Sequence, residues 1–207
     1  ARNATIERFS VKPNLSESEF MRRAVKQCDY YQIDMQNIRL VGIDINKVLN
    51  ESVVDIDQAF LQLNLRVFND RTLPVNHDSK VGKYPQQLLL KLKVPIYIRQ
   101  ALVDHSTISY RERAAETRQV GNVLFTHVKG TIDNITNIPA FIRIEPVLTL
   151  RGSGMFLDRG ACQTEWKLRL DSERGNFSMS GHVGPMDAAA FNSIAMPLGM
   201  TSVKGRI

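Results

Sequence analysis

Alternation of apolar and polar residues with a period of two is the dominant pattern in this 207-residue chain. Residues 61–67 alternate leucine or valine with glutamine, asparagine and arginine, which predicts a half-buried strand. Residues 166–171 and 177–183 repeat the pattern on either side of a turn that contains Gly175. Two such segments joined by a short glycine-containing turn predict a β-hairpin.

Weaker alternation and turn residues predict more strands. These lie near residues 3–11, 29–42, 94–104, 106–113, 118–134 and 139–151. Helices are predicted to be few and short. Ser16 begins a capping box with Glu19, and Asp44, Pro85 and Asp187 are placed to begin three further short helices.

This pattern predicts a mainly β fold: an antiparallel, curved, meander-type sheet, forming a groove or an open barrel-like shape, with a few short helices. We expect residues 1–207 to form a single β-rich module, since a chain of this length can bury a core. Residues 69–84 are polar and lack periodicity, so we expect an exposed loop there.

Composition excludes several classes of protein. A hydrophobic content of 43% with 23% charged residues is typical of a folded chain. The net charge is +6, but Lys and Arg are scattered and adjoin only at Arg22-Arg23, which argues against a nucleic-acid partner. Dispersed positive charge is compatible with weak attraction to anionic lipid. No apolar run reaches the roughly 18 residues that a membrane-spanning helix needs.

The sequence contains no pattern that predicts catalysis, a cofactor or a metal site. Asp104-His105-Ser106 has the residue types of a catalytic triad, but neighbours on a strand point to opposite faces. His77-Asp78 has no further ligand at metal spacing, and Asp55 and Asp57 fit a solvated strand face. We therefore predict no enzyme activity. Cys28 and Cys162 are compatible with a long-range disulfide or with two free thiols.

Several short motifs resemble the AsmA-like and TamB-related periplasmic proteins of Bacteroidetes-type bacteria. Residues 108–112 resemble an I-x-Y-x-E strand of that family. Residues 121–137 resemble its G-x-I-x-F segment followed by N-I-T-N. The strand region 52–70 fits as well, and residues 186–205 resemble a D…N…P…G stretch near the end of the family pattern.

The resemblance implies a fragment of a longer envelope protein, held in the inner membrane by a segment outside this chain and projecting into the periplasm. It implies a role in membrane biogenesis and lipid transport, with phospholipid, the rest of the same polypeptide and other envelope proteins as partners. In such proteins the apolar face of a curved sheet shields acyl chains. The candidate lipid-facing residues are Leu61, Leu63, Leu65, Val67, Trp166, Leu168, Leu170, Phe177 and Met179.

Three other readings stay open at this point. One is a hydrolase whose paired carboxylates come from distant parts of the chain. The same alternating residues serve equally well as a closed hydrophobic core. A ligand- or protein-binding β domain at the cell surface or in the periplasm is the main alternative function, although one Trp and 7% aromatic residues argue against an aromatic binding platform.

Overall fold

The computed structural model describes residues 2–207 and consists of one eight-stranded sheet with short helices at its ends. The strands follow one another in the sheet in the order of the sequence. They are β1 (Asn3–Val11), β2 (Asp29–Val41), β3 (Val54–Asp70), β4 (Ile96–Arg113), β5 (Val120–Thr136), β6 (Val147–Phe156), β7 (Gly160–Arg169) and β8 (Phe177–Val183). The predicted mainly β fold is confirmed, and the sheet is open.

One strand pair departs from the predicted meander. Six of the neighbouring pairs are antiparallel, but β3 and β4 run parallel. Parallel neighbours need a connection that returns to the starting end, and residues 71–95 provide it. The predicted loop at 69–84 begins later than expected, because Asn69 and Asp70 are the last residues of β3.

The hairpin of β7 and β8 forms as predicted, with Trp166 opposite Met179 and Leu168 opposite Phe177. Its turn contains Gly175, whose φ of +72° lies in the left-handed region. A Cβ atom there would also lie 2.5 Å from the ring of Tyr84. Glycine is therefore required at this turn for two separate reasons.

The helices are α1 (Glu17–Arg23), α2 (Ile45–Glu51), α3 (Pro85–Leu90), α4 (Pro139–Ile144) and α5 (Asn192–Gly199), with a 3-10 turn over Ala188–Phe191. Ser16 forms the predicted capping box with Glu19, and Asp44 caps α2. The strand predicted over 139–151 was wrong in its first half. Pro139 is well suited to the first turn of a helix, so residues 139–144 form α4 and the strand begins at Val147.

A line of irregular pairing, which we call the crease, crosses the sheet. Asn37 on β2, His105 on β4 and His127 on β5 have positive φ values and lie at or beside register shifts. The line continues through Gly130 and Gly152, which are paired on β5 and β6. Bulges bend a sheet and increase its twist, so the crease changes the direction of the strands part-way along their length.

The molecule exposes far more surface than a compact protein of its size. Its accessible area is 13184 Å². A compact monomer of 23.4 kDa exposes about 9,700 Å² by the usual scaling with mass. The difference of about a third shows that the sheet is neither wrapped into a closed barrel nor covered by a second sheet.

Asp55 ties α2 to the sheet. Its side chain is 3% exposed and accepts hydrogen bonds from Lys47 on α2 and from Arg99 on β4, the latter at 2.7 Å. Burial alone would raise the pKa of Asp55, but the hydrogen bonds and charges of Lys47 and Arg99 outweigh it and hold the pKa below its ordinary value. Asp55 is therefore ionised and paired in the folded protein at neutral pH.

Gly130→Ala will destabilise the crease, because a Cβ at Gly130 would lie 2.2 Å from the carbonyl oxygen of Arg151. We expect a loss of about 1–3 kcal/mol in the free energy of unfolding, measured by urea denaturation. Gly152→Ala is the matched control, because the nearest atom to its Cβ lies at 3.7 Å. Equal losses in the two variants would contradict this account of the crease.

Asp55→Asn will lower the free energy of unfolding by about 1–3 kcal/mol at pH 7, since it removes the charge shared by Lys47 and Arg99. The folded-state pKa is depressed, so this stabilisation is complete above the ordinary carboxyl pKa and is lost as the pH falls below about 4. The gap between wild type and variant should close in acid, as followed by denaturation at several pH values. Asp57→Asn, which removes a carboxylate that is 59% exposed, should have a smaller effect.

Candidate functional site

One face of the sheet carries apolar side chains from edge to edge, and we call it the apolar face. Residues directly opposite each other on neighbouring strands point to the same face, so strand pairing defines rows across the sheet. One row is Val11, Ile33, Leu65, Ile108, Phe125 and Phe156. A second is Ala59, Ala101, Ile132, Leu150, Trp166 and Met179. Ala59 and Leu65 are six residues apart on the continuous strand β3, so both rows share a face.

The opposite face carries a chain of polar contacts that we call the polar ladder. Its members are Gln58, Gln100, Asp133, Arg151, Glu165 and Lys167, which lie on β3 to β7. Gln58 donates to Gln100 at 3.1 Å, and Gln100 donates to Asp133 at 2.9 Å. Arg151 bridges Asp133 at 3.2 Å and Glu165 at 2.8 Å. The polar ladder therefore lies opposite the apolar rows, as the alternation predicts, although Phe60 and Leu102 share the face of the ladder.

The structure places eight of the nine lipid-facing candidates on the apolar face, by strand register: Leu61, Leu63, Leu65, Val67, Trp166, Leu168, Phe177 and Met179. At the β8 edge, the rings of Trp166 and Phe177 are stacked with centroids 5.8 Å apart. Leu170 differs from the rest. It follows the end of β7 and is 2% exposed, so it packs inside the protein instead of facing outward.

The C-terminal segment covers one end of the apolar face. Phe191 packs edge-on against Phe156 with ring centroids 5.5 Å apart, and Leu198 of α5 lies over Gly121 of β5. Gly121 is needed there, since a Cβ would lie 2.9 Å from Leu198. In the chain from 2 to 207, no other helix packs broadly on the sheet. Most of the apolar face therefore has no covering layer.

Side chains in the middle of the apolar face are partly exposed. Leu61, Leu63 and Leu65 are of intermediate exposure, although they lie on a central strand. At the edges Phe9 is 50% exposed and Met179 is 56% exposed. A contiguous apolar surface of this extent is unusual for a monomeric protein and indicates an interaction surface.

A hollow of about 1140 Å³ follows the crease. Most of the side chains that line it belong to the face of the polar ladder, among them Gln62, Arg151 and Glu165. The lining also includes a row of residues with little or no side chain, formed by Gly130, Gly152, Thr164 and Gly181. These four residues are paired on β5 to β8. The small residues leave space where longer side chains would fill it, and the hollow is bordered mainly by the face of the polar ladder.

Asp104, His105 and Ser106 on β4, which have the residue types of a catalytic triad, form the bulge at the crease. Asp104 lies 3.1 Å from the exposed ring of His105. The Ser106 hydroxyl donates to the carbonyl of Asp104 at 2.8 Å and accepts the N–H of Leu63 at 2.7 Å. Ser106 is 1% exposed, and its hydroxyl is occupied in holding the bulge against β3.

Metal ligands and reactive thiols are the other groups that could form a site in this chain. Among residues 2–207, no three His, Cys, Asp or Glu side chains come close enough to hold a metal ion. Cys28 and Cys162 are both free thiols, and burial raises the pKa of each. Within the same span, no helix is long and apolar enough to cross a membrane.

Comparisons with protein-family models, with curated proteins and with solved structures gave no match to this chain.

Sequence reasoning missed the part of the apolar face that lies on β4 to β6. The missed residues include Ala101, Ile108, Phe125, Ile132, Leu150 and Phe156. Bulges at His105 and His127 interrupt the period of two there. The one signal that could have identified these residues is that apolar and polar residues alternate on both sides of each bulge.

An open apolar face predicts that the native protein binds the dye ANS, which fluoresces on apolar surfaces. We expect enhanced dye fluorescence while the near-ultraviolet circular dichroism stays native, which separates this surface from that of a partly unfolded state. Leu63→Asp should reduce the signal, and Gln62→Glu, which adds a charge on the opposite face of the same strand, should not. No enhancement in the wild type would show that the face is closed in solution.

Proposed function

We propose that this chain is a non-catalytic module that shields the acyl chains of phospholipid on its apolar face. The observation that carries the proposal is an apolar surface that runs across the sheet and is covered by the C-terminal segment at one end only. Acyl chains gain about 0.8 kcal/mol for each methylene removed from water, so such a surface favours them strongly.

The shape of the site supports an elongated, flexible ligand over a compact one. The rows of apolar residues cross the strands, and each row extends over six neighbouring strands. Hydrogen-bonding groups concentrate on the polar ladder, which belongs to the other face. A ligand on the apolar face would thus be recognised by burial more than by specific polar contacts.

The AsmA-like resemblance supports the proposed setting. Two of the motifs that carry it, residues 108–112 and 121–125, lie on β4 and β5 within the face described here. We propose on this basis that the parent protein is anchored in the inner membrane and works in the periplasm, in building the cell envelope. The dispersed positive charge fits an approach to anionic lipid headgroups.

Phospholipid will copurify with the protein when it is isolated from a bacterial host without detergent. Native mass spectrometry should show added masses that extraction identifies as phospholipid. Leu63→Asp should lose them, because lipid would have to desolvate the new carboxylate. Gln62→Glu, with its charge on the opposite face, should keep them.

Trp166 gives an independent readout, since it is the only tryptophan and lies on the apolar face. Phospholipid with brominated acyl chains should quench its fluorescence, whereas lipid brominated only in the headgroup should quench less. A clean protein mass and unquenched Trp166 would overturn the lipid proposal. That result would favour the alternative of a protein-binding β domain.

A further inference from the structure

The edge strand β8 has an unusual composition for an exposed edge. All seven residues from Phe177 to Val183 are exposed, and none of them is Lys, Arg, Asp, Glu or Pro. Natural sheets usually protect a free edge with charges, prolines or bulges. The other edge, β1, follows that rule, with Glu7 in the middle of the strand and Arg8 bound to Asp34 at 2.7 Å.

The backbone of β8 offers hydrogen-bonding groups outward at alternate residues. Arg169 donates its N–H to the carbonyl of Asn176, and Gly184 donates to Ala161. These bonds mark the two ends of one antiparallel ladder, so even-numbered residues from 176 to 184 direct their main-chain groups toward β7. The main-chain groups of Phe177, Met179, Gly181 and Val183 therefore point away from the sheet.

These four residues are also the ones whose side chains lie on the apolar face. Two β8 strands placed antiparallel, with Ser180 beside Ser180, bring outward-pointing groups together along the full strand. In that register Phe177 lies beside Val183 of the second copy, and Met179 lies beside Gly181. Large side chains thus meet small ones, so the strand is complementary to itself.

We propose that β8 pairs with β8 of a second copy of this chain, in a two-fold dimer whose sheet continues through the contact. The two apolar faces then join into one surface that spans both copies. The pairing uses main-chain hydrogen bonds and does not depend on lipid binding. A contact of one strand edge is small, so the dimer dissociates in the micromolar range.

The test is sedimentation velocity on delipidated protein over a series of concentrations. Wild type should shift from monomer to dimer as concentration rises. Met179→Pro removes an outward N–H and leaves the ladder to β7 intact, so it should abolish the shift, whereas Ser178→Ala should not. Circular dichroism establishes that each variant is folded.

Opposite charges introduced at Ser180 in separate variants test the register of the β8–β8 pairing. In the proposed dimer Ser180 faces its own symmetry mate, so Ser180→Lys alone and Ser180→Glu alone should each weaken association by about fivefold or more. An equal mixture of the two variants should restore the dimer. A wild type that stays monomeric, or a dimer unaffected by all three changes, would overturn the proposal.

Discussion

The structure depends on main-chain hydrogen bonding between strands that follow one another in sequence. Across residues 2–207, buried side chains form only a small packed cluster, Met21, Tyr30 and Phe68, where α1 meets the sheet. Away from this cluster and from the C-terminal segment on β5, the sheet is mainly a single layer whose strands are held by their main-chain hydrogen bonds and, on one face, by the polar ladder. A layer held in this way leaves its other face free for a partner.

At the crease the sheet bends while its apolar face stays continuous. A bulge adds one residue, which would normally move every following side chain to the opposite face. On β4 the bulge at His105 keeps Val103 and Ile108 on the same face although they are five residues apart. The apolar residues on either side of the bulge are spaced to allow for the extra residue, so the apolar surface continues through it.

Local signals predicted most of the elements but not their arrangement. Capping residues such as Ser16 and Asp44, and the alternation on β3, β7 and β8, act within a few residues and can be read from sequence. The parallel pairing of β3 with β4 could not, since it depends on where residues 71–95 return the chain. The alternation on β3, β7 and β8 is enough to group the candidate residues there on one face, whereas those beyond the bulges were missed because the period breaks there.

The parallel pairing of β3 with β4 also bears on the order in which the parts of the sheet fold. Strands β1 to β3 and strands β4 to β8 are two antiparallel series whose neighbours are close in sequence. Joining them requires the closure of a 25-residue connection, residues 71–95, before β3 and β4 gain any hydrogen bonds. Contacts between residues distant in sequence form slowly, so we expect the two series to fold as separate units and the β3–β4 junction to form last.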